Sequence, residues 1–382
     1  MRDLNTSLQQ LRATDLYRQR RVQDGQQGAE VILDGKSCLA FCSNDYLGLS
    51  HHPEVIAALR KGAEQYGAGS GAAHLINGHS RAHHQLEQEL AEFVQRPRAL
   101  LFSTGYMANL GVMSALLQRG DSVYEDSLNH ASLIDGGLLS GAILKRFKHN
   151  DVDDLASKMQ RSKSSEGLIA CDGVFSMDGD IAPVQGLAEI ATNHNHWLMI
   201  DDAHGFGVLG EHGRGTLEHL GLDAQQVPVL MGTLGKALGT FGAFVAGSEE
   251  LIETLINNAR SYIYTTAPPP AIAEATRVSL KLAASENWRR KKLQELIAQF
   301  RKGASQLGLE LMSTITPIQP IVIGDNKRTL SCSQKLWDAG IYIPAIRPPT
   351  VPDGSARLRV SFNADHEPHH VQKLLDALES LL

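Results

Sequence analysis

Seven short apolar runs recur between Ala99 and Ala246, and their alternation with helical stretches constrains the fold more than any other feature. The runs are Ala99–Phe102, Ser122–Glu125, Ala142–Phe147, Gly167–Asp172, Trp197–Asp201, Pro228–Met231 and Gly242–Ala246. Helical patterns lie between them, as at Asp151–Gln160 and Gly186–His194. Strands that are apolar along their whole length are buried on both faces. The chain therefore predicts an α/β architecture with a mostly parallel seven-stranded sheet covered by helices.

A chain of 382 residues is too long for one ordinary core. We expect an N-terminal arm over 1–45, a large domain over 46–285 and a smaller α+β domain over 286–382. Net charge is −6 and no basic block stands out, which argues against nucleic acid or an anionic membrane as a partner. The four cysteines, Cys38, Cys42, Cys171 and Cys332, form no CxxC and read as reduced thiols of a cytoplasmic protein. Met1–Arg21 lacks the apolar core of a signal peptide, and no run of 18 apolar residues predicts a membrane helix.

Two stretches carry chemistry. In Met231–Gly239 one lysine, Lys236, stands among glycines just after the apolar run Val227–Leu230. Such a lysine is either a snorkelling surface charge or a buried amine that forms a Schiff base with a carbonyl cofactor. Upstream, Trp197–Gly205 is an apolar strand ending in Asp201, with His204 three residues later. An acid at the C-terminal end of a parallel strand faces the ligand crevice. It can hold a pyridinium nitrogen protonated, or it can simply cap the next turn. Strand–Asp–x–x–His followed at this distance by a Gly-flanked lysine is far more specific than either piece.

This combination resembles the α-oxoamine synthases, enzymes dependent on pyridoxal 5′-phosphate (PLP) with the fold type I of aspartate aminotransferase. The resemblance runs from about residue 15 to the end. It implies that Lys236 carries PLP as a Schiff base and serves as the base, and that Asp201 sits on the pyridine nitrogen. It also implies that His130 stacks on the ring, and that His204 and Ser176 reach the phenolic oxygen. The start of the helix after Ala99–Phe102 offers the N–H groups of Gly105 and Tyr106 to the phosphate, as helix N-termini favour anions. Thr233 adds a hydroxyl and Thr266 reaches the partner subunit's phosphate. Arg18, Asn44, His130, Thr350 and Arg359 are implied to bind substrate. The stretch Ile346–Pro352 and the surroundings of Arg359 favour the branch that joins L-alanine to a pimeloyl thioester in biotin synthesis, with loss of CO2. Sister branches use glycine with acetyl-CoA or succinyl-CoA, or serine with a long acyl-CoA; a PLP aminotransferase and a non-catalytic PLP-binding module are further alternatives. The family implies a homodimer with shared sites, and the acyl carrier is coenzyme A or acyl carrier protein. An acidic carrier would want a basic rim, for which Lys145, Arg146, Lys148 and Arg347 are candidates.

Departures from the family pattern occur at Ala72-Ala73 in the glycine-rich stretch Tyr66–Gly78, at Asp172 where relatives carry Glu, and at Phe206 where Thr or Ser is common. Further along, Ala271–Leu307 reads as a long helical connection after the prolines 268–270. Strands are expected at Pro320–Ile323 and Arg357–Phe362, with helices at Thr329–Ala339 and ending at Leu382. Ala345–Pro352 reads as a stiff exposed loop between them. Alternation puts Arg357 and Arg359 on one strand face, where a guanidinium suits a carboxylate clamp or is a plain surface charge.

No metal ligands are expected. His366-Glu367-Pro368-His369-His370 matches the H-E-x-x-H zinc pattern, but Pro368 belongs in the first turn of a helix, which leaves the first histidine outside. His83-His84 reads as helix surface.

Overall fold

The structure, a computed structural model, describes residues 3–162, 164 and 166–381. The helix end expected at Leu382 lies outside the described residues. The chain forms two compact units: one of residues up to Gly48, Met177–Asp180 and Lys291 onward, the other of Leu49–Ser176 and Ile181–Arg290.

All seven apolar runs are strands of one sheet in the second unit. Their order is Arg98–Phe102, Ala243–Gly247, Val229–Thr233, Trp197–Asp201, Gly167–Asp172, Ser122–Asp126, Ile143–Phe147. Ala243–Gly247 is antiparallel to both neighbours, and every other pairing is parallel. Every residue of Ser122–Asp126, Gly167–Asp172 and Ala243–Gly247 is buried, as double coverage requires. Leu100, Val123, Leu168, Met199 and Val245 pack in one core with Val112 and Met113 of the helix Gly105–Leu116. Each such side chain contributes up to about 1.5–3 kcal/mol by leaving water. Register sets Asp172 opposite Asp201 and Asp201 opposite Met231. The C-terminal ends of three neighbouring strands therefore lie together at one sheet edge, the place where open α/β sheets hold ligands.

The first unit holds two small sheets. One has the order Gln23–Asp24, Glu30–Leu33, Lys36–Ala40, Ile341–Tyr342. Its hairpin turns at Asp34 and Gly35, whose φ values of 50° and 75° match the primed turn favoured between twisted strands. The other runs Ile318–Gly324, Ala356–Ser361, Ala345–Ile346. Helices Leu4–Ala13, Asn326–Asp338 and Pro368–Glu379 belong to this unit, as does Trp288–Gln306 from Lys291 onward.

Three expectations change. The long helical connection is two helices, Pro270–Ser285 and Trp288–Gln306. Glu286 leaves helical geometry at ψ 59°, and its carboxylate accepts a 2.6 Å bond from the Arg289 guanidinium. The loop Ala345–Pro352 is only partly exposed, because Ala345–Ile346 pairs with Ala356–Ser361 and Val351 is buried. His83, expected on a helix surface, is fully buried: its Nδ1 accepts the Ser80 N–H at 3.0 Å and its Nε2 donates to the Pro268 carbonyl at 2.7 Å. A backbone carbonyl inside the unit, invisible in the sequence, is what draws the ring inward.

At the zinc-like pattern, Pro368 opens the last helix and Glu367 is its N-cap. His366 lies before the helix, buried and stacked at 4.4 Å on Phe41.

Candidate active site

The helix Gly105–Leu116 starts beside the strand edge. Thr104 caps it, its hydroxyl accepting the Met107 N–H at 3.1 Å. The N–H groups of Gly105 and Tyr106 have no acceptor among the described residues. They border a cavity of about 180 Å³ that is also lined by His130, Asp172, Ser176, Asp201, His204, Thr233 and Lys236. Eight of the nine residues singled out for the cofactor therefore meet in one place: Gly105, Tyr106, His130, Ser176, Asp201, His204, Thr233 and Lys236.

The Lys236 amine lies 2.8 Å from His204 Nε2. The lysine is half-buried and His204 is buried, so the surface-charge reading of the lysine does not hold. The loop is fixed just beyond it by Gly239, whose φ is +62° and whose notional Cβ would lie 2.2 Å from the Ser50 nitrogen. Only glycine fits there.

Asp201 is buried, with Oδ1 accepting the Ala203 N–H at 3.0 Å and Oδ2 accepting from Asn109 Nδ2 at 2.8 Å. The second proton of Asn109 Nδ2 goes to Ser132 Oγ at 2.8 Å. Ser132 in turn approaches His130 Nδ1 at 2.7 Å, and its N–H donates to the same nitrogen at 3.3 Å. With its amide proton on Nδ1 and its hydroxyl proton free to follow, Ser132 fixes His130 Nδ1 as an acceptor, which leaves the proton on Nε2. Burial and the Lys236 charge hold the His130 pKa below the ordinary value against the pull of Asp201. Asn109 and Ser132 were not singled out from the sequence. The available signal was a lone amide in an otherwise apolar helix face, which must find buried partners.

Asp172 faces the same cavity. Burial first, and then the neighbouring Asp201 carboxylate, push its pKa well above the ordinary carboxylate range, while it accepts the His130 N–H at 2.9 Å. Thr233 lines the cavity too, but its hydroxyl proton already goes to the Gly242 carbonyl at 3.1 Å. Tyr106 carries its hydroxyl to the Asp135 carboxylate. Thr266 is exposed and does not border this cavity.

The remaining residues lie in the first unit. Arg359 is buried, donating to Ser361 Oγ at 2.8 Å and to Asn44 Oδ1 at 3.2 Å, so it is no surface charge. Arg18 and Thr350 meet at 2.9 Å and border a second cavity of about 310 Å³ with Tyr342 and Arg347. Of the rim candidates, Arg347 is turned to the Asp15 carbonyl, Arg146 to the Ser127 carbonyl, and Lys145 to Ser162 Oγ at 2.6 Å.

The donor set around Lys236 matches a phosphorylated pyridine aldehyde. It combines an amine for the carbonyl, two unpaired N–H groups at a helix start for a phosphate, and a buried carboxylate for a ring N–H.

Comparison with known proteins agrees. The family profile of class I and II aminotransferases matches residues 36–378. The 8-amino-7-oxononanoate synthase of Thioalkalivibrio sulfidiphilus is 62% identical over 380 residues, covering 99% of this chain and 97% of that protein. That of Cellvibrio japonicus is 59% identical, covering 99% and 95%. Among solved structures, serine palmitoyltransferase from S. paucimobilis with bound PLP–myriocin superposes with a TM-score of 0.94 at 31% identity, covering 100% of this chain and 98% of that one. The 8-amino-7-oxononanoate synthase of Francisella tularensis gives 0.79 at 35% identity, covering 90% and 97%.

Proposed function

The chain belongs to the 8-amino-7-oxononanoate synthase family, within the PLP-dependent class I and II aminotransferases, and on that premise we propose that it condenses L-alanine with a pimeloyl thioester. The products are 8-amino-7-oxononanoate, CO2 and the free thiol carrier, coenzyme A or acyl carrier protein. A carbon–carbon bond forms at the alanine α-carbon as the thioester C–S bond breaks, and the alanine carboxylate leaves as CO2.

Lys236 would hold PLP through its amine, with the Gly105 and Tyr106 N–H groups and Thr233 at the phosphate. Asp201 would hold the ring nitrogen, His130 the ring face, and His204 and Ser176 the phenolic oxygen. Bound there, PLP supplies an electron sink for charge that develops at the amino acid's α-carbon. Lys236 Nζ removes the α-proton and later returns one to the same carbon, and His204, 2.8 Å away, orients the amine between these transfers. Two donated hydrogen bonds hold the Asp201 carboxyl in place. The network through Asn109 and Ser132 keeps His130 neutral and fixes its plane. Arg359 receives the alanine carboxylate, and Asn44 orients its guanidinium. Arg18 and Thr350 bind the acyl substrate.

The observation that carries this reading is the meeting of Lys236, Asp201, His130 and His204 on one buried cavity in a chain 62% identical to a named synthase. It is tested by CO2 release from the PLP-loaded protein under three feeds. L-alanine with pimeloyl thioester is expected to give CO2, whereas glycine with acetyl-CoA and serine with palmitoyl-CoA are not. Release only from one of the latter two would move the protein to a sister activity, and silence from all three would overturn the proposal.

Replacing Arg359 is expected to act on alanine binding. Loss of a charge-assisted clamp costs about 1.5–3 kcal/mol per hydrogen bond, so the KM for L-alanine should rise roughly 10²-fold in Arg359→Ala, with kcat less affected. Arg359→Lys should recover part of the loss. An unchanged KM in a folded variant would remove Arg359 from the site.

We further infer a homodimer in which Thr266 of one subunit reaches the other's cofactor phosphate. We also place the protein in the cytoplasm. The four cysteines are free, and among the described residues no helix is long and apolar enough to cross a membrane.

A further inference from the structure

The strand Trp197–Asp201 runs out into two adjacent acids, Asp201 and Asp202, and of the two only Asp201 borders the cavity. Asp202 is fully buried and bonds elsewhere. Resting on the reading that Lys236 holds PLP, we propose that Asp202 is a positioning residue for the reaction: through Thr216 it clamps the loop 202–216 so that His204 stands against Lys236.

Both carboxyl oxygens are used. Oδ2 accepts the Thr216 N–H at 2.8 Å, and Oδ1 accepts the Thr216 hydroxyl at 2.5 Å. The main chain of Asp202 is tied as well. Its N–H donates to the Met231 carbonyl at 2.8 Å, and its carbonyl accepts from the N–H groups of Phe206 at 2.9 Å and Gly205 at 3.2 Å. His204 therefore sits in a turn that returns to Asp202 directly after it, with the Ala203 N–H held by Asp201 Oδ1.

The rest of the loop is closed on the same short helix, Thr216–Leu220. Glu218 accepts the N–H groups of His212 at 3.2 Å and Arg214 at 3.0 Å. Gly207 N–H bonds the Gly213 carbonyl at 2.8 Å, and Gly215 N–H bonds the Leu209 carbonyl at 3.0 Å. Asp202 thus fixes the base of the loop and Glu218 its tip.

Glycine makes the room for the clamp. A Cβ at Gly205 or Gly215 would run into the Asp202 oxygens, and one at Gly173 would crowd Oδ1 at 3.1 Å. Burial pushes the Asp202 carboxyl up to about 7, against the two Thr216 bonds. An apolar side chain would fill this space at less cost. It could not accept the two Thr216 protons that set the loop, and with the loop the 2.8 Å between His204 Nε2 and Lys236 Nζ.

The test uses full-length, PLP-saturated protein held well below its thermal midpoint. Three quantities are read in Asp202→Ala, Thr216→Val and Thr216→Ser: the pH titration of the bound PLP absorption, the dissociation constant for PLP, and kcat and KM with L-alanine and pimeloyl thioester. Asp202→Ala should move the absorption midpoint by about half a pH unit or more and weaken PLP binding about tenfold. Its kcat should fall roughly 10²-fold while the KM for L-alanine stays within about twofold, because Arg359 lies outside this loop. Thr216→Val should move the same quantities the same way by less, and Thr216→Ser should stay near wild type. Leu155→Ala removes a buried side chain from the helix Val152–Gln160, which lines neither cavity. It should lower the thermal midpoint and leave the absorption titration unchanged. Where Asp202→Ala does not fold, Thr216→Val decides. Wild-type titration and kcat in the Asp202→Ala and Thr216→Val variants would overturn the proposal, as would an equal shift in Leu155→Ala. Either result leaves PLP on Lys236, whereas a wild type that binds no PLP would overturn that reading too.

Discussion

Lys236→Ala protein should release no CO2 above background from L-alanine and pimeloyl thioester, a loss of roughly 10⁴-fold or more. The size follows from two roles placed on one nitrogen. As the amine that would hold the cofactor, Lys236 fixes the reactive carbon in the cavity; as a base 2.8 Å from His204 it moves the α-proton. Among the described residues no other amine borders the cavity to replace it. Mass spectrometry after borohydride treatment separates the two roles from misfolding. The wild type should gain a stable PLP-sized addition on the peptide containing Lys236, and the variant should not, while circular dichroism stays the same. Turnover within about tenfold of wild type would place the chemistry on another residue.

Asp178→Ala should be the most damaging single change to stability. Arg357 and Asp178 form an ion pair at 2.6 Å with side chains only 5% and 9% exposed. The same guanidinium also donates to the carbonyls of Met177 at 3.2 Å and Ser355 at 3.0 Å. Removing the carboxylate leaves a buried cation with neutral acceptors alone, a cost of about 3–5 kcal/mol. Against a typical stability of about 5–15 kcal/mol, that loss is large. Denaturant unfolding at fixed PLP saturation reads it directly. Asp178→Asn should lose less, and Asp178→Leu combined with Arg357→Met should recover most of the loss, because burying an unpaired charge, not losing attraction, is the penalty. A shift below about 1 kcal/mol in Asp178→Ala would show that water reaches the guanidinium.

The sheet was legible because its strands are apolar on both faces, a pattern with one structural solution. Lys236, Asp201 and His204 were legible because their spacing, unlike a lone charge or cap, is rare. What escaped depended on partners far along the chain. Asn109 looks like an ordinary polar residue in the first turns of a helix, yet its amide reaches Asp201 and Ser132. His83 reads as surface because its neighbour His84 is exposed, while the Pro268 carbonyl, 185 residues on, draws its ring inward. The break at Glu286 leaves no proline or glycine to mark it. Arg347 looked available to a partner, but the Asp15 carbonyl takes its guanidinium.

The hairpin formed early in the chain has a consequence for synthesis. Lys36–Ala40 pairs in parallel with Ile341–Tyr342, Leu39 lying opposite Ile341, about 300 residues later. While the ribosome works, that strand keeps one edge of unpaired backbone groups, an invitation to pair with another nascent chain. The second unit closes far sooner, because its residues are consecutive apart from the four of Met177–Asp180. Vectorial synthesis should therefore deliver a finished sheet around Lys236 while the amino-terminal strands still wait for the last tenth of the chain, and slow translation should expose that hairpin to chaperones longer than any other part.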